Sequence, residues 1–510
     1  MHSPTATRPS PTTPPTGIAA SFRAAFATPA RLRTEILAGL VVALALIPEA
    51  ISFSVLAGVD PAVGLYSSFI MAVVISVTGG RPAMITAATG AVALVVAPLV
   101  KEHGLDYLVA CVLLAGIFQL ILSAVGVAKL MRFIPRSVMV GFVNALAILI
   151  FGAQLPHLFG VPWLVYPMVA LSVAVIVFLP KFTTAIPAPL VAIVIVTTIT
   201  LVLGKPVPDV AGQGDLPDSL PGLFIPHVPV TLETFTTIAP YALAMALVGL
   251  MESLMTAKLV DDITDTHSDK TREAAGQGIA NIASAFVGGM GGCAMIGQTM
   301  INVKASRART RLSTLLAGVF LLIAVVALGP VVGAIPMAAL VGIMVMVSVA
   351  TFDWHSVTPA TLKLMPASET AVMLATVAAT LATHNLAVGV ITGVVAASIA
   401  FARRVAHLAE VELTDTTTGP DGTVSAVYTV NGQLFFASSN DLVYQFDYDA
   451  GFDRVTIDLA QAEVWDASTV ASLDAITRKF REKNTGVSIT GLTGPSADRW
   501  EKLSGRLGEH

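Results

Sequence analysis

Two carboxylates stand inside long apolar runs of this chain, and its chemistry can be read from them. Glu49 follows Pro48 in the run from Ile36 to Leu56, and Glu252 lies in Leu250-Met-Glu-Ser-Leu-Met-Thr256. An acidic side chain midway along a bilayer helix costs about 2.5–3.5 kcal/mol, so it should face the protein interior and is a functional candidate. The plainer alternative is a carboxyl bonded to backbone freed by Pro48 or to a facing helix. Two short stretches complete the set. One opens Ile85-Thr-Ala-Ala-Thr-Gly90. The other, after Gly288 and Gly289, reads Met290-Gly-Gly-Cys-Ala-Met-Ile-Gly-Gln-Thr299. Small residues interrupt both, either for close helix packing or because non-helical chain leads into a half-helix. Half-helix N-termini meeting at mid-membrane present free N–H groups and positive dipole ends, which hold an anion without a fixed cation. Thr89 and Thr299 would add hydroxyl donors. The expected anion contacts are Thr89, Gly90 and the stretch Ala294, Met295, Ile296, Gly297, Gln298 and Thr299. Two ionised glutamates beside such a site would repel its ligand. One or both are therefore expected to take up a proton, or hold a cation, when the anion binds.

The elements that position these residues follow from composition. The chain has 510 residues, 55% hydrophobic and 12% charged, where soluble domains carry about 25% charged residues. Its mean hydropathy is +0.79. Apolar segments of membrane-spanning length recur from residue 35 to about 402, roughly fourteen in all, seven on each side of a Pro-rich loop near 205–234. The interrupted stretches are third in each group of seven, and Glu49 and Glu252 lie in the first. An odd-numbered repeat inverts its second copy in the membrane, and matched interrupted segments in inverted repeats point to a transporter's central site. Arg31, Arg81, Lys129, Arg136, Lys270, Arg307, Arg311 and Arg403 fall in loops on one side, while Lys101 and Lys205 fall on the other. That asymmetry puts both termini in the cytoplasm.

Residues 1–30, rich in Pro, Thr and Ser, read as a disordered arm rather than a signal peptide. Cys111 and Cys293 both lie in apolar segments and read as small packed side chains, not as a disulfide or metal site. Asp261, Asp262 and Asp265 read as a solvated acidic loop. Beyond Arg404 the chain turns polar, and residues 420–510 read as a small α/β domain. Strands are expected on both sides of an Asn431-Gly432 turn, at Val455–Leu459 and at Gly486–Gly491. Helices are expected at Ser468–Glu482 and Ala497–Leu507. No catalytic constellation stands out, so the chain does not read as an enzyme.

Five motifs together resemble the sulfate permease (SulP) family: Ile47-Pro-Glu-Ala-Ile-Ser-Phe53, Ala88-Thr-Gly90, Glu252-Ser-Leu-Met-Thr256, Gly276-Gln-Gly-Ile-Ala-Asn281 with Gly288-Gly289, and the tail. The resemblance implies an α-helical polytopic membrane protein of seven-plus-seven inverted repeats, with residues 31–405 forming core and gate domains. It further implies an anion site between the third and tenth segments, a homodimer, and a C-terminal STAS domain. Phe53 matches an aromatic that lines the family's substrate pocket. Glu252 and Thr256 stand where sodium-coupled bicarbonate members have an Asp and a Thr that hold the ion. Ile296 replaces a further hydroxyl of those members, which weakens a sodium site. Gln298 stands where the animal exchangers carry Arg. In Val464-Trp-Asp-Ala-Ser468, Ala467 takes the place of the serine that related regulators phosphorylate. The expected function is proton-coupled uptake of sulfate or a similar oxyanion or dicarboxylate across the plasma membrane, with Glu49, Glu252 and Thr256 as coupling residues and no cofactor. The alternatives are a sodium-dependent bicarbonate symporter, an uncoupled channel, or a scaffold acting through the STAS domain.

Overall fold

Helices form almost where the apolar runs lie. The structure, a computed structural model, describes residues 17–130, 134–183, 187–204, 206–406 and 409–506. The chain divides into two compact units with the boundary inside helix α18, near Val394. The first unit opens with α1 (Ile18–Ala25), α2 (Pro29–Ala57), α3 (Pro61–Thr78), strand β1 (Thr86–Ala87), α4 (Gly90–His103), α5 (Leu105–Ala124), α6 (Val127–Leu130), α7 (Arg136–Gln154), α8 (Val165–Phe178) and α9 (Ala188–Leu203). After the long loop come α10 (Leu232–Thr264), α11 (Lys270–Ala285), β2 (Cys293–Ala294), α12 (Ile296–Met300, continued as a π-turn to Ala305), α13 (Arg311–Ala327), α14 (Gly329–Gly333), α15 (Met337–Thr351), α16 (Pro359–Leu364), α17 (Ala367–Thr383) and α18 (Leu386–Ala406). Among the described residues, six helices are long and apolar enough to cross a membrane, and five shorter apolar helices accompany them.

Packing repeats across the two halves. Helix α2 lies on α13 as α10 lies on α5, α3 on α13 as α11 on α5, and α7 on α17 as α15 on α8. Exchanging each element for its counterpart in the other half reproduces these pairs, and β1 meets its own counterpart β2 antiparallel. That is the packing of inverted repeats. One group holds α2 to α5 and α10 to α13; the other holds α7 to α9, α15 and α17. Small residues allow the close approaches: a methyl on Gly278 would lie 2.8 Å from the Gly116 carbonyl, where α11 crosses α5.

Two expectations change here. Residues 18–25, read as part of a disordered arm, form helix α1, and Ser21 receives a hydrogen bond from the Arg311 N–H at 3.1 Å; residues 1–16 of that arm, like Lys205, lie outside the described residues. Asp261 is not in a solvated loop. It is in the last turns of α10, within 2.9 Å of Arg81 and 2.6 Å of Lys270, so the charges of the α10–α11 connection are tied to the turn before β1.

The second unit is a four-stranded sheet in the order β3-β4-β5-β6. Its strands are β3 (Glu410–Thr418), β4 (Val424–Leu434), β5 (Arg454–Val464) and β6 (Gly486–Thr490), with α19 (Phe436–Leu442), α20 (Ala467–Glu482) and α21 (Gly494–Leu503). β3 pairs antiparallel with β4, and the remaining pairs are parallel. Val430, Ile457 and Leu459 of the sheet and Leu473, Ile476 and Phe480 of α20 form its core. The sheet begins at Glu410 rather than near 420. Asn431-Gly432 is not a hairpin turn: β4 runs through it with a register shift beside Asn431, and Gly432 takes φ +107°. α20 starts one residue before the expected Ser468, because Asp466 caps it, accepting from the Thr469 N–H at 3.0 Å.

Candidate functional site

The two interrupted stretches meet through their strands. Thr86 pairs with Ala294 and Ala87 with Cys293, and the Met295 N–H donates to the Ile85 carbonyl at 2.9 Å. Because the pairing is antiparallel, α4 and α12 leave it in opposite directions with their N-termini side by side. The approach is too close for side chains at one point: a methyl on Gly292 would lie 1.9 Å from the Ala87 carbonyl oxygen.

Helix α11 carries the polar residues that hold this crossing. Gln277 donates to Thr86 Oγ1 and Asn281 to Gln119 Oε1, both at 2.9 Å, and Asn281 Oδ1 receives the Gly292 N–H at 2.9 Å. Ser68 receives the Ala88 N–H at 3.2 Å and Ser253 the Ala294 N–H at 3.0 Å. Non-helical backbone buried here thus finds its partners within the protein.

The helix starts leave backbone donors open. Four helices of this unit, α2, α10, α11 and α13, have a first turn capped by Thr28, Thr231, Asp269 and Thr310, while α3, α5, α7, α8, α9, α15 and α17 have no side-chain cap. Thr89 and Met295, the N-cap residues of α4 and α12, make no such bond. Among the described residues, the first three N–H groups of each helix, those of Gly90, Ala91 and Val92 and of Ile296, Gly297 and Gln298, have no protein acceptor. Orphan donors at neighbouring helix ends make a positive pole of the kind that favours an anion. Gly297 is exposed, with open space around the position of a Cβ, so this pole is accessible from the α12 side.

The other expected contacts can now be placed. The Phe53 ring of α2 covers the start of α4: a Cβ on Gly90 would lie 2.8 Å from it and 3.2 Å from Ile150 of α7. The α4 start therefore lies where the two helix groups meet. Gln298 is buried, and its Nε2 makes no hydrogen bond among the described residues; the Glu49 carboxyl faces this side chain. Three expected ligands serve the fold instead. Thr299 Oγ1 receives the Ile85 N–H at 3.0 Å, and the Ala294 and Met295 N–H groups are bonded as described, so these residues hold the crossing together.

Glu252 points into the same region, its Oε2 accepting the Cys293 S–H at 3.0 Å, and Cys293 in turn lies 3.1 Å from Thr89 Oγ1. Cys293 is fully buried, as expected of a packed thiol, and it also touches these two polar groups. Thr256 donates to the Glu252 carbonyl at 2.7 Å, a bond within the helix. Ile296 supplies no side-chain oxygen at its position. The sequence reading missed Cys293, Ser68, Ser253 and Ile150. The only sequence signal was position: Cys293 and Ser253 adjoin the Gly-rich stretch and Glu252.

Comparisons with known proteins bear on the family and the fold. The sulfate permease family model matches residues 32–168 and 162–376, and the STAS domain model matches residues 416–504. YbaR of Bacillus subtilis (strain 168), a protein named for sulfate transport, is 50% identical over 473 residues, covering 93% of this chain and 97% of its own. The bicarbonate transporter BicA of Picosynechococcus sp. is 26% identical over 527 residues, covering 92% of this chain and 91% of its own. Among solved structures, a cyanobacterial BicA transmembrane domain aligns with a TM-score of 0.61 at 24% identity, over 72% of this chain and 98% of that one. SLC26A9 aligns with a TM-score of 0.76 at 16% identity, over 92% and 86%. Likeness at these identities concerns the fold.

Proposed function

The chain belongs to the sulfate permease family of membrane anion transporters, and on that premise we propose that it couples uptake of sulfate, or a similar small oxyanion or dicarboxylate, to protons. The observation that carries this reading is the pair of uncapped helix starts, at Gly90 and Ile296, with a glutamate beside each, Glu252 buried and Glu49 half-buried. Backbone dipoles favour the anion, and neither carboxyl has a cationic partner among the described residues. Protonating the carboxyls removes the repulsion that would otherwise oppose anion binding. Sulfate is favoured over bicarbonate because a proton turns bicarbonate into carbon dioxide, which needs no carrier. The same reading has the protein in the plasma membrane with both termini cytoplasmic, as a homodimer.

The BicA likeness favours a second reading, sodium–bicarbonate symport. Uptake into proteoliposomes separates the two. Labelled sulfate, fumarate or bicarbonate is offered under a proton gradient in choline buffer, or under a sodium gradient at equal pH. Sulfate or fumarate accumulation driven by the proton gradient without sodium supports the proposal. Bicarbonate accumulation that requires sodium overturns it.

A further inference from the structure

Cys293 joins the two functional groups of the site. Its sulfur lies 3.0 Å from Glu252 Oε2 on one side and 3.1 Å from Thr89 Oγ1 on the other. All three side chains are buried, so solvent does not interrupt the row. Thr89 occupies the N-cap of α4, where a threonine hydroxyl ordinarily accepts from the helix; here it is turned to the sulfur instead. A thiol and a hydroxyl can each donate one hydrogen bond and accept others, so the direction of such a row is set by its end group.

We propose that Cys293 is a positioning residue, relaying the protonation state of Glu252 to the anion pole by reversing a row of hydrogen bonds; the inference rests on the proton-coupled reading above. With Glu252 ionised, the carboxylate only accepts. The Cys293 S–H donates to Oε2, the Thr89 O–H donates to the sulfur, and the Thr89 oxygen presents lone pairs to the start of α4, which disfavours an anion. One proton added to Oε2 reverses the row. The carboxyl O–H donates to the sulfur, and the S–H swings to donate to Thr89 Oγ1. The Thr89 O–H is thereby released toward an anion. No covalent bond to sulfur forms or breaks, the thiol stays neutral, and the single added proton resides on Glu252. A thiol suits the middle of the row because its hydrogen bonds are weak in both directions, so neither orientation is locked.

Other ionisable groups leave this row alone. Helix α10 packs against α4, α5, α11, α12 and β2. On β2, Cys293 is the partner described. On α5, Cys111 contacts the Ile238 carbonyl, far along α10 from Glu252, and Asp106 accepts from the His227 N–H. On α4, Lys101, Glu102 and His103 occupy its last turn. On α11, Lys270, Arg272 and Glu273 occupy the first turn, and Glu273 accepts the Gly80 and Arg81 N–H groups. On the α12 side, Lys304 is exposed at the end of the π-turn, and Glu49 of α2 faces Gln298.

The test is the KM for labelled sulfate against pH, at zero membrane potential, in proteoliposomes of the full chain. Wild type should bind at least about tenfold more tightly at pH 5.5 than at pH 7.5, the worth of one hydrogen bond to a charged ligand. Cys293→Ala should flatten that dependence to within about twofold, and Cys293→Ser, which can donate and accept, should restore it. Thr89→Val supplies a second break in the row should the alanine variant fail to fold, and it should give the same flat profile. A wild-type KM that ignores pH overturns both the relay and the proton-coupled reading. A steep wild-type profile that persists in Cys293→Ala or Thr89→Val overturns the relay alone. A flat profile in both Cys293→Ala and Cys293→Ser overturns it too, because serine preserves the row.

Discussion

Replacing Glu252 by Gln should change how far the protein can concentrate its substrate, and the size of the change follows from counting carboxyls. Two glutamates flank the proposed anion pole, Glu252 buried against Cys293 and Glu49 half-buried against Gln298, with no cationic partner for either among the described residues. A divalent anion entering alone against 100 mV, inside negative, meets about 2.3 kcal/mol per charge, which is roughly 2,000-fold for both charges. Two protons carried with it cancel that opposition. A gradient of one pH unit then supplies about 1.4 kcal/mol per proton, or about 100-fold accumulation for two. Glu252→Gln holds its site permanently neutral and removes one proton from the cycle. Accumulation should fall to about tenfold per pH unit, and 100 mV should lower it by roughly a further 50-fold. The assay is the steady-state ratio of labelled sulfate in proteoliposomes, with valinomycin and potassium setting the potential and buffers the gradient. Glu49→Gln should behave alike. A Glu252→Gln ratio that still climbs 100-fold per pH unit and ignores potential would refute the assignment of a coupling proton to this residue.

Gly292→Ala should abolish uptake and lower thermal stability, because a methyl 1.9 Å from the Ala87 carbonyl oxygen forces β1 and β2 apart. Gly297→Ala, where a Cβ meets open space, should melt like wild type yet raise the KM for sulfate, since it narrows access to the α12 start; detergent-solubilised melting curves alongside uptake test the pair. In the second domain, Asp466→Ala removes the α20 cap and the acceptor of the Phe436 N–H. About 1–2 kcal/mol should be lost, lowering the Tm of residues 409–506 expressed alone by roughly 4–8 °C per kcal/mol. Deleting residues 411–510 should leave sulfate binding by the membrane unit measurable, checked by equilibrium binding in detergent; complete loss would place the second domain in the site.

Much of the membrane unit is legible because hydropathy and the interruption of two segments are both local signals. The stretches at Ile85–Gly90 and Met290–Thr299 give themselves away by small residues in otherwise apolar chain, and they do pair across the repeat. What escapes is whatever depends on a partner distant in sequence. Cys293 looks like any packed thiol until Glu252 and Thr89 arrive on either side of it. Thr299 looks like a ligand until the Ile85 N–H claims its oxygen. β3 is largely exposed and has no apolar alternation to betray it, so pairing with β4 alone makes it a strand. Asn431-Gly432 carries a strong local turn signal, and β4 overrides it because the strand is bonded on both sides, by β3 and β5, with the extra residue absorbed in a register shift. The same rule applies at the site. Sequence can mark which helix ends are built to receive an anion, but whether a hydroxyl there faces the ligand or the fold is decided by its hydrogen-bond partner. Thr89 and Thr299, alike in sequence context, take opposite roles: one joins a carboxylate through a thiol, and the other fastens the strands that bring the two helix ends together.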